Sequence, residues 1–204
     1  MDNQKITKEQ RKEQLVNIAL EMFGTVGYTK TKVSDIVSKA EVSQGTFYWY
    51  FKSKLEIASY ILERGNEQIL QRIAIGYRDE KVSVSTSVQS STKLFESLFR
   101  FAEENRFLMM LLFKGVHTEP KLQQQVLAIK KNMERAFAHN IEQAQKFHMV
   151  AENKTPAIQA IFIMSLMEGV LIRWLERDET LHDRSLSELV ENTVHFEFFG
   201  IFGV

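Results

Sequence analysis

Apolar residues recur along this chain at spacings of three and four nearly everywhere, the signature of helices that bury one face. The first run, Leu15, Ile18, Ala19, Met22, Phe23 and Val26, is a single stripe of a 3.6-residue helix. Thr7 followed by Gln10 has the capping-box spacing that would start it, and Gly24 and Gly27 loosen and end it. Val33, Ile36, Val37 and Ala40 predict a second helix, with Thr31 as its N-cap. That helix must be short, because Ser43 offers a fresh N-cap just beyond Ala40-Glu41-Val42. A third helix, Gln44 to Tyr50, then follows a tight turn, with Phe47 and Phe51 on its inward face and Val42 beside them. Ser53 with Glu56 opens a long fourth helix that carries Ala58, Ile61, Leu62, Ile69 and Ile73 and runs to Tyr77.

The segment RDEKVSVSTSVQSS, residues 78–91, is polar and weakly patterned and reads as a loop leading into a fifth helix. The greasy FLMMLLF, Phe107 to Phe113, follows. Pro120 suits the first turn of a long helix that continues through Val126, Ile129, Met133, Phe137, Ile141 and Ala144. Pro156 opens another, and Ser185 with Glu188 caps the last, which ends in HFEFFGIFGV. The predicted fold is all-α with about nine helices. It divides into a small three-helix domain over 1–54, a connecting fourth helix over 54–77 and a larger helical domain over 78–204.

Composition sharpens this picture. Nine Gly and two Pro in 204 residues leave too little turn chemistry for a hairpin-rich sheet protein. The absence of Cys removes disulfides, thiolate zinc sites and a cysteine nucleophile, which fits a cytoplasmic protein. The N-terminal MDNQKITKEQRKEQ lacks the apolar core of a signal peptide. Ala157 to Leu175 is the greasiest segment, yet it carries Gln159, Ser165, Glu168 and Arg173, so a buried helix is expected rather than a membrane span. Net charge is zero but uneven: residues 1–54 hold nine Lys/Arg against six acids, and the remainder 17 against 20. Such asymmetry hints at an anionic partner for the basic part.

Two short helices across a tight turn, braced by a preceding helix, make a helix-turn-helix, whose second member enters the DNA major groove. With Phe47 and Phe51 turned inward, Gln44, Thr46, Tyr48 and Tyr50 are left to meet a duplex. Tyr48, Trp49 and Tyr50 span too wide an arc of helix to be buried together in so small a domain. Gly45 permits close backbone approach, and Gln44 can read an adenine edge. The hydroxyls of Ser43, Thr46, Tyr48 and Tyr50 suit phosphates, and Lys52 and Lys54 add charge at the start of the next helix.

Residues 11–62 resemble the DNA-binding domain of the tetracycline-repressor (TetR) family of bacterial regulators. The carrying motifs are IALEMFGTVGY and TKVSDIVSKAEVSQGTFYWYFKSKLEI, with the pattern Val42, Ser43, Gly45, Tyr48, Phe51 and Lys54. The resemblance implies a cytoplasmic homodimer that binds a near-palindromic double-stranded DNA operator, usually as a repressor, and releases it when a small molecule enters the C-terminal domain. It places Thr31, Lys32 and Ser34 near the DNA backbone, Gln44, Gly45 and Thr46 at bases, and Ser43, Tyr48, Tyr50 and Lys54 at phosphates, with Trp49 divided between phosphate contact and packing. Two positions depart from the family. Glu41 stands where a glycine is usual in the turn, and Ser34 where many members carry arginine.

Twelve of the 15 Phe lie beyond residue 55, alongside most of the Met, and such side chains make deformable apolar walls. From the helices among which the family places its ligand, the expected pocket residues are Phe99, Phe107, Met110, Phe113, Phe137, Met164 and Met167, taking an apolar or aromatic effector. The same residues also suit plain core. Glu168 and Arg173 are expected to pair with effector, partner chain or each other. The last two helices are apolar on more than one face, as expected where a second subunit covers them. No His-Glu-x-x-His, glycine-rich phosphate loop or Gly-x-Ser-x-Gly occurs, and His117 with Glu119 reads as a surface pair, so no catalysis, metal or cofactor is expected. The competing reading is a helical small-molecule carrier or dimerisation protein without DNA binding.

Overall fold

Capping and periodicity set the start of almost every helix in the computed structural model, which describes residues 7–114 and 119–200. Helix α1 (Lys8–Met22) begins at Thr7, whose hydroxyl accepts from the Gln10 amide while Gln10 accepts from the Thr7 amide. It runs into a wider π-helical turn, Phe23–Gly27. Helices α2 (Val33–Lys39), α3 (Gln44–Tyr50) and α4 (Lys54–Ile73) follow, the last ending in a tight 3₁₀ turn at Ala74–Gly76. Then come α5 (Val84–Glu104), α6 (Arg106–Lys114), α7 (Pro120–Lys146), α8 (Pro156–Leu175) and α9 (Leu186–Phe199). No strand occurs among the described residues. His117 and the last four residues of the chain lie outside them.

Two starts differ from expectation. The N-cap of α2 is Lys32, whose amide donates to the Asp35 carboxylate at 2.8 Å, not Thr31. Helix α5 begins at Val84, within the stretch expected to be a loop. Ser83 caps it by accepting from the Thr86 amide, and the hydroxyls of Ser90 and Thr92 donate back to carbonyls one turn earlier. Those internal bonds satisfy the hydroxyls that make the segment look like loop.

By packing, the chain forms two units, Met1–Gly65 with Phe107–Val126, and Asn66–Arg106 with Leu127–Val204. The division is not linear: α6 joins the N-terminal helices, while α4 and α7 contribute residues to both units. The first unit buries Leu15, Ala19, Ile36, Phe47, Ile57 and Leu62 completely or nearly so. Gly24 matters there because a Cβ would stand 2.6 Å from the Phe107 ring. The bare backbone lets α6 press against the turn that ends α1.

The second unit is built on α5, which packs along α9 and against α8. Phe95 meets Phe99 edge-on and Phe137 in a stack, each at 6.5 Å between centroids, and Phe99 continues to Trp174 at 6.1 Å. Helix α8 is long and apolar enough to cross a membrane by length and composition. Ala160, Met164, Met167, Leu171 and Leu175 form its buried stripe, while Ile158, Ile161 and Phe162 face outward. Glu168 pairs with Lys130 of α7 at 2.6 Å, and Arg173 is exposed, so the two do not pair with each other.

Candidate nucleic-acid interface and ligand cavity

The turn between α2 and α3 closes with two backbone bonds, Val42 N to Val37 O at 3.0 Å and Glu41 N to Ser38 O at 3.2 Å. This is the helix-ending pattern that puts one residue in the left-handed region, normally glycine. That residue is Glu41, with φ 54°. A side chain there costs roughly 1 kcal/mol. Replacing Glu41 by glycine is therefore expected to stabilise the protein by up to about 1 kcal/mol, partly offset by a more flexible unfolded chain. Equilibrium urea unfolding of the two proteins checks it.

Helix α3 is anchored as its pattern requires: Phe47 is fully buried, Phe51 nearly so, and their rings lie 6.1 Å apart. The opposite face is open. Gln44 and Gly45 are exposed, as are Tyr48 at 52% and Trp49 at 62%. Gln44 makes no hydrogen bond to the protein among the described residues, so both ends of its amide are free to pair with a base edge. A Cβ on Gly45 would meet nothing closer than Ser43 Oγ at 3.6 Å, so the fold itself does not require glycine there.

The hydroxyls are less free than the sequence suggests. Ser43 Oγ accepts from the Thr46 amide at 3.1 Å as the N-cap of α3, and lies 3.0 Å from the Thr46 hydroxyl. Tyr50 donates to the Lys8 carbonyl at 3.0 Å, tying α3 to the start of α1. The Lys8 ammonium sits 5.2 Å from the centre of the Trp49 ring. Trp49 is thus half packing surface, edge-on to Tyr50, and half exposed. Lys8 beside this face was missed in the sequence, where it is one lysine among several.

Two expected DNA contacts have other occupations. Thr31 is fully buried, and its hydroxyl donates to Gly27 O at 2.9 Å and Met22 O at 3.3 Å, holding the end of the π turn; it cannot reach a duplex. Lys54 is turned inward. Its ammonium donates to the carbonyls of Tyr28 and Thr31, each at 2.8 Å, and lies 4.3 Å from the centre of the Tyr28 ring. Burial lowers the Lys54 pKa, and Glu119 partly opposes that. Lys32 and Ser34 remain exposed at the start of α2, with Ser34 on the Asp35 carboxylate at 3.3 Å.

Within the second unit a cavity of about 100 Å³ lies among α5, α7, α8, α9 and the turn after α4. Apolar walls come from Phe95, Phe137, Ile141, Met149 and Ile163, while Arg78, Ser91 and Glu197 supply polar groups. A groove of about 340 Å³ shares Phe95, Ile141, Val150, Ile163 and Glu197 with it and continues past Phe162 and Phe196. Of the seven expected pocket residues only Phe137 lines the cavity. Phe99, Met164 and Met167 are core of the same unit, and Phe107, Met110 and Phe113 belong to the other unit. Core and cavity share one apolar stripe, so helical spacing does not separate them. Arg78 and Glu197 went unnoticed, although an acid inside the apolar HFEFF run was a signal for the second.

Arg78 donates from Nη1 to Gly76 O and from Nη2 to Ser87 O, both at 3.0 Å, while its buried Nε has no acceptor. Burial lowers its pKa, partly opposed by Glu197. Glu197 is crowded by protein on the cavity side yet exposed at the rim. Burial pushes its carboxyl up to about 7, against the opposing effects of a hydrogen bond from Ser91 and the charge of Arg78. No group of three or more His, Asp or Glu placed to hold a metal occurs among the described residues.

Residues 15–61 match the family described as bacterial regulatory proteins, tetR family. The chain is 25% identical over 194 residues to the uncharacterized HTH-type transcriptional regulator YvdT of Bacillus subtilis, covering 92% of this chain and 82% of that protein. In fold it is similar to the fatty acid degradation regulator FadR of Bacillus halodurans, with a TM-score of 0.79 and 16% identity over 95% of this chain and 97% of that one. It is also similar to FadR of Bacillus subtilis in complex with stearoyl-CoA, with a TM-score of 0.76 and 19% identity over 93% of this chain and 98% of that one.

Proposed function

The chain belongs, through its helix-turn-helix, to the tetR family of bacterial regulatory proteins, and on that premise we propose that it is a ligand-responsive repressor, a cytoplasmic homodimer released from a near-palindromic operator by a small effector with an apolar or aromatic body. The observation that carries the DNA-binding reading is the outward face of α3: an unpartnered Gln44 amide beside a Gly45 that the fold does not need, on a helix pinned from behind by Phe47 and Phe51. A glutamine can pair with an adenine edge through both its amide groups, and a bare backbone lets the helix sit deep in a major groove.

Fluorescence anisotropy with DNA from upstream of the protein's own coding sequence tests this reading. Binding should fall steeply with salt, since each neutralised phosphate releases counterions. A helical carrier or dimerisation protein would bind that DNA no better than random sequence, and the effector half of the reading would then stand alone.

Dimerisation is proposed through α8 and α9. Ile158, Ile161 and Phe162 on α8 are 49%, 49% and 64% exposed, and Phe196 and Phe199 on α9 are 45% and 39% exposed. So much apolar surface on neighbouring helices is what a second copy would cover. Phe162→Lys is expected to convert the dimer to monomer at micromolar concentration, read by sedimentation velocity, with little change in helicity. An unchanged sedimentation coefficient would remove α8 from the interface.

The cavity of the second unit is the proposed effector site. Its walls are mostly apolar, as in most small-molecule sites, with polar groups from Arg78, Ser87, Ser91, Asn140 and Glu197.

A further inference from the structure

Arg78, which lines the cavity, carries a donor that the protein leaves unused. Arg78 Nε is buried without an acceptor, while both terminal nitrogens of the same guanidinium are held on the carbonyls of Gly76 and Ser87. An unpaired donor in a dry site is costly unless something completes it. The plane of the group is fixed by those two carbonyls, and Arg78 lines the cavity. A guanidinium so held matches an oxygen acid better than any other acceptor. The remaining walls, Leu94, Phe95, Phe137, Ile141 and Ile163, are apolar, and the adjoining groove extends them past Phe162 and Phe196.

We infer that the effector is an amphipathic carboxylic acid, its carboxylate on Arg78 and its apolar chain along Phe95, Ile141 and Ile163, with Glu197 as the competing internal acid that gives way to it. This rests on the proposed reading of the cavity as the effector site. Among the described residues, Arg78 is the only cation lining the cavity and Glu197 the only anion; Ser87, Ser91 and Asn140 are neutral. Two carboxylates near one guanidinium repel, so binding the ligand as its anion favours uptake of a proton by Glu197, which lines the same cavity. Burial raises the Glu197 carboxyl to about 7, so that uptake costs little at pH 6 and more at pH 8.5. The sign follows: affinity for an ionised acid falls as pH rises through that range, whereas affinity for a neutral analogue of the same chain does not.

Isothermal titration calorimetry of the full chain with decanoate, decan-1-ol and decylamine tests the inference, each at pH 6 and 8.5 and in buffers of different ionisation enthalpy. Decanoate should bind at least tenfold tighter than the alcohol at pH 6, where Glu197 is already mostly protonated and little proton uptake accompanies binding, and lose most of that advantage at pH 8.5, where its binding should take up close to one proton. Glu197→Gln should abolish both the uptake and the pH dependence while keeping decanoate binding. Arg78→Gln should reduce the acid to the affinity of the alcohol. The head-group comparison on the unaltered protein decides the matter even if Arg78→Gln folds poorly. Equal binding of acid and alcohol, or tighter binding of the amine, would overturn the inference. Operator release by the alcohol as readily as by the acid would leave the regulator intact and remove only the carboxylate. Failure to bind any operator, with selective acid binding retained, would do the reverse.

Discussion

Replacing Gly45 by leucine should leave the protein at least as stable as before, by up to about 1 kcal/mol more, and reduce operator affinity by about a hundredfold or more. The two effects have separate causes. Glycine in a helix forfeits roughly 1 kcal/mol against a better helix former. The structure offers no compensation, since a Cβ at this position meets only Ser43 Oγ at an ordinary 3.6 Å and the backbone lies outside the left-handed region. The residue is exposed, so a leucine side chain would extend into solvent rather than into the core. In a groove it would extend into the bases and hold the helix off the edge that Gln44 is placed to read. Urea unfolding and anisotropy at one salt concentration measure the two halves. Undiminished affinity would mean that α3 does not approach DNA through this face.

Gly45 and its neighbours also show how much a sequence discloses. Phe47 and Phe51 are four apart, and that spacing orients the helix, so the exposure of Gln44 and Tyr48 is legible in the sequence, whereas Thr46 and Tyr50, expected on the same face, are half-buried and Tyr50 is tied to the Lys8 carbonyl. Thr31 could not be read this way. A hydroxyl residue just before a helix looks like a cap, but this one bonds to the Gly27 and Met22 carbonyls exposed by a π turn that no spacing rule anticipates. Helix α5 starts earlier than its sequence pattern implies, because serines and threonines read as loop when their back-bonds are unseen. In the second unit, Arg78 and Glu197 come to line one cavity through the tertiary packing of α9 on α5, whereas Phe99, Met164 and Met167, expected there from the helices in which the family holds its ligand, are core. Periodicity identifies which face is buried; it does not reveal where the burial is incomplete.

Lys54 separates the two kinds of knowledge most sharply, because its motif position implies a phosphate contact and its geometry implies an internal tie. Lys54→Met keeps most of the aliphatic stem but removes the ammonium that joins the Tyr28 and Thr31 carbonyls to the start of α4. Charge-assisted hydrogen bonds contribute about 1.5–3 kcal/mol each. Partial exposure of the lysine lets water replace some of that, so a total loss of about 2–3 kcal/mol is expected. For a domain whose stability is only several kcal/mol, that is a large fraction. Lys52, exposed and just before α4, is the control: Lys52→Met should leave stability unchanged and, if it faces a phosphate, lower the slope of log affinity against log salt by about one. Lys54→Met, measured where the protein is still folded, should leave that slope alone. A reduced slope with intact stability would show instead that the ammonium leaves its carbonyls when DNA arrives, and that the motif, rather than the resting geometry, describes the bound state.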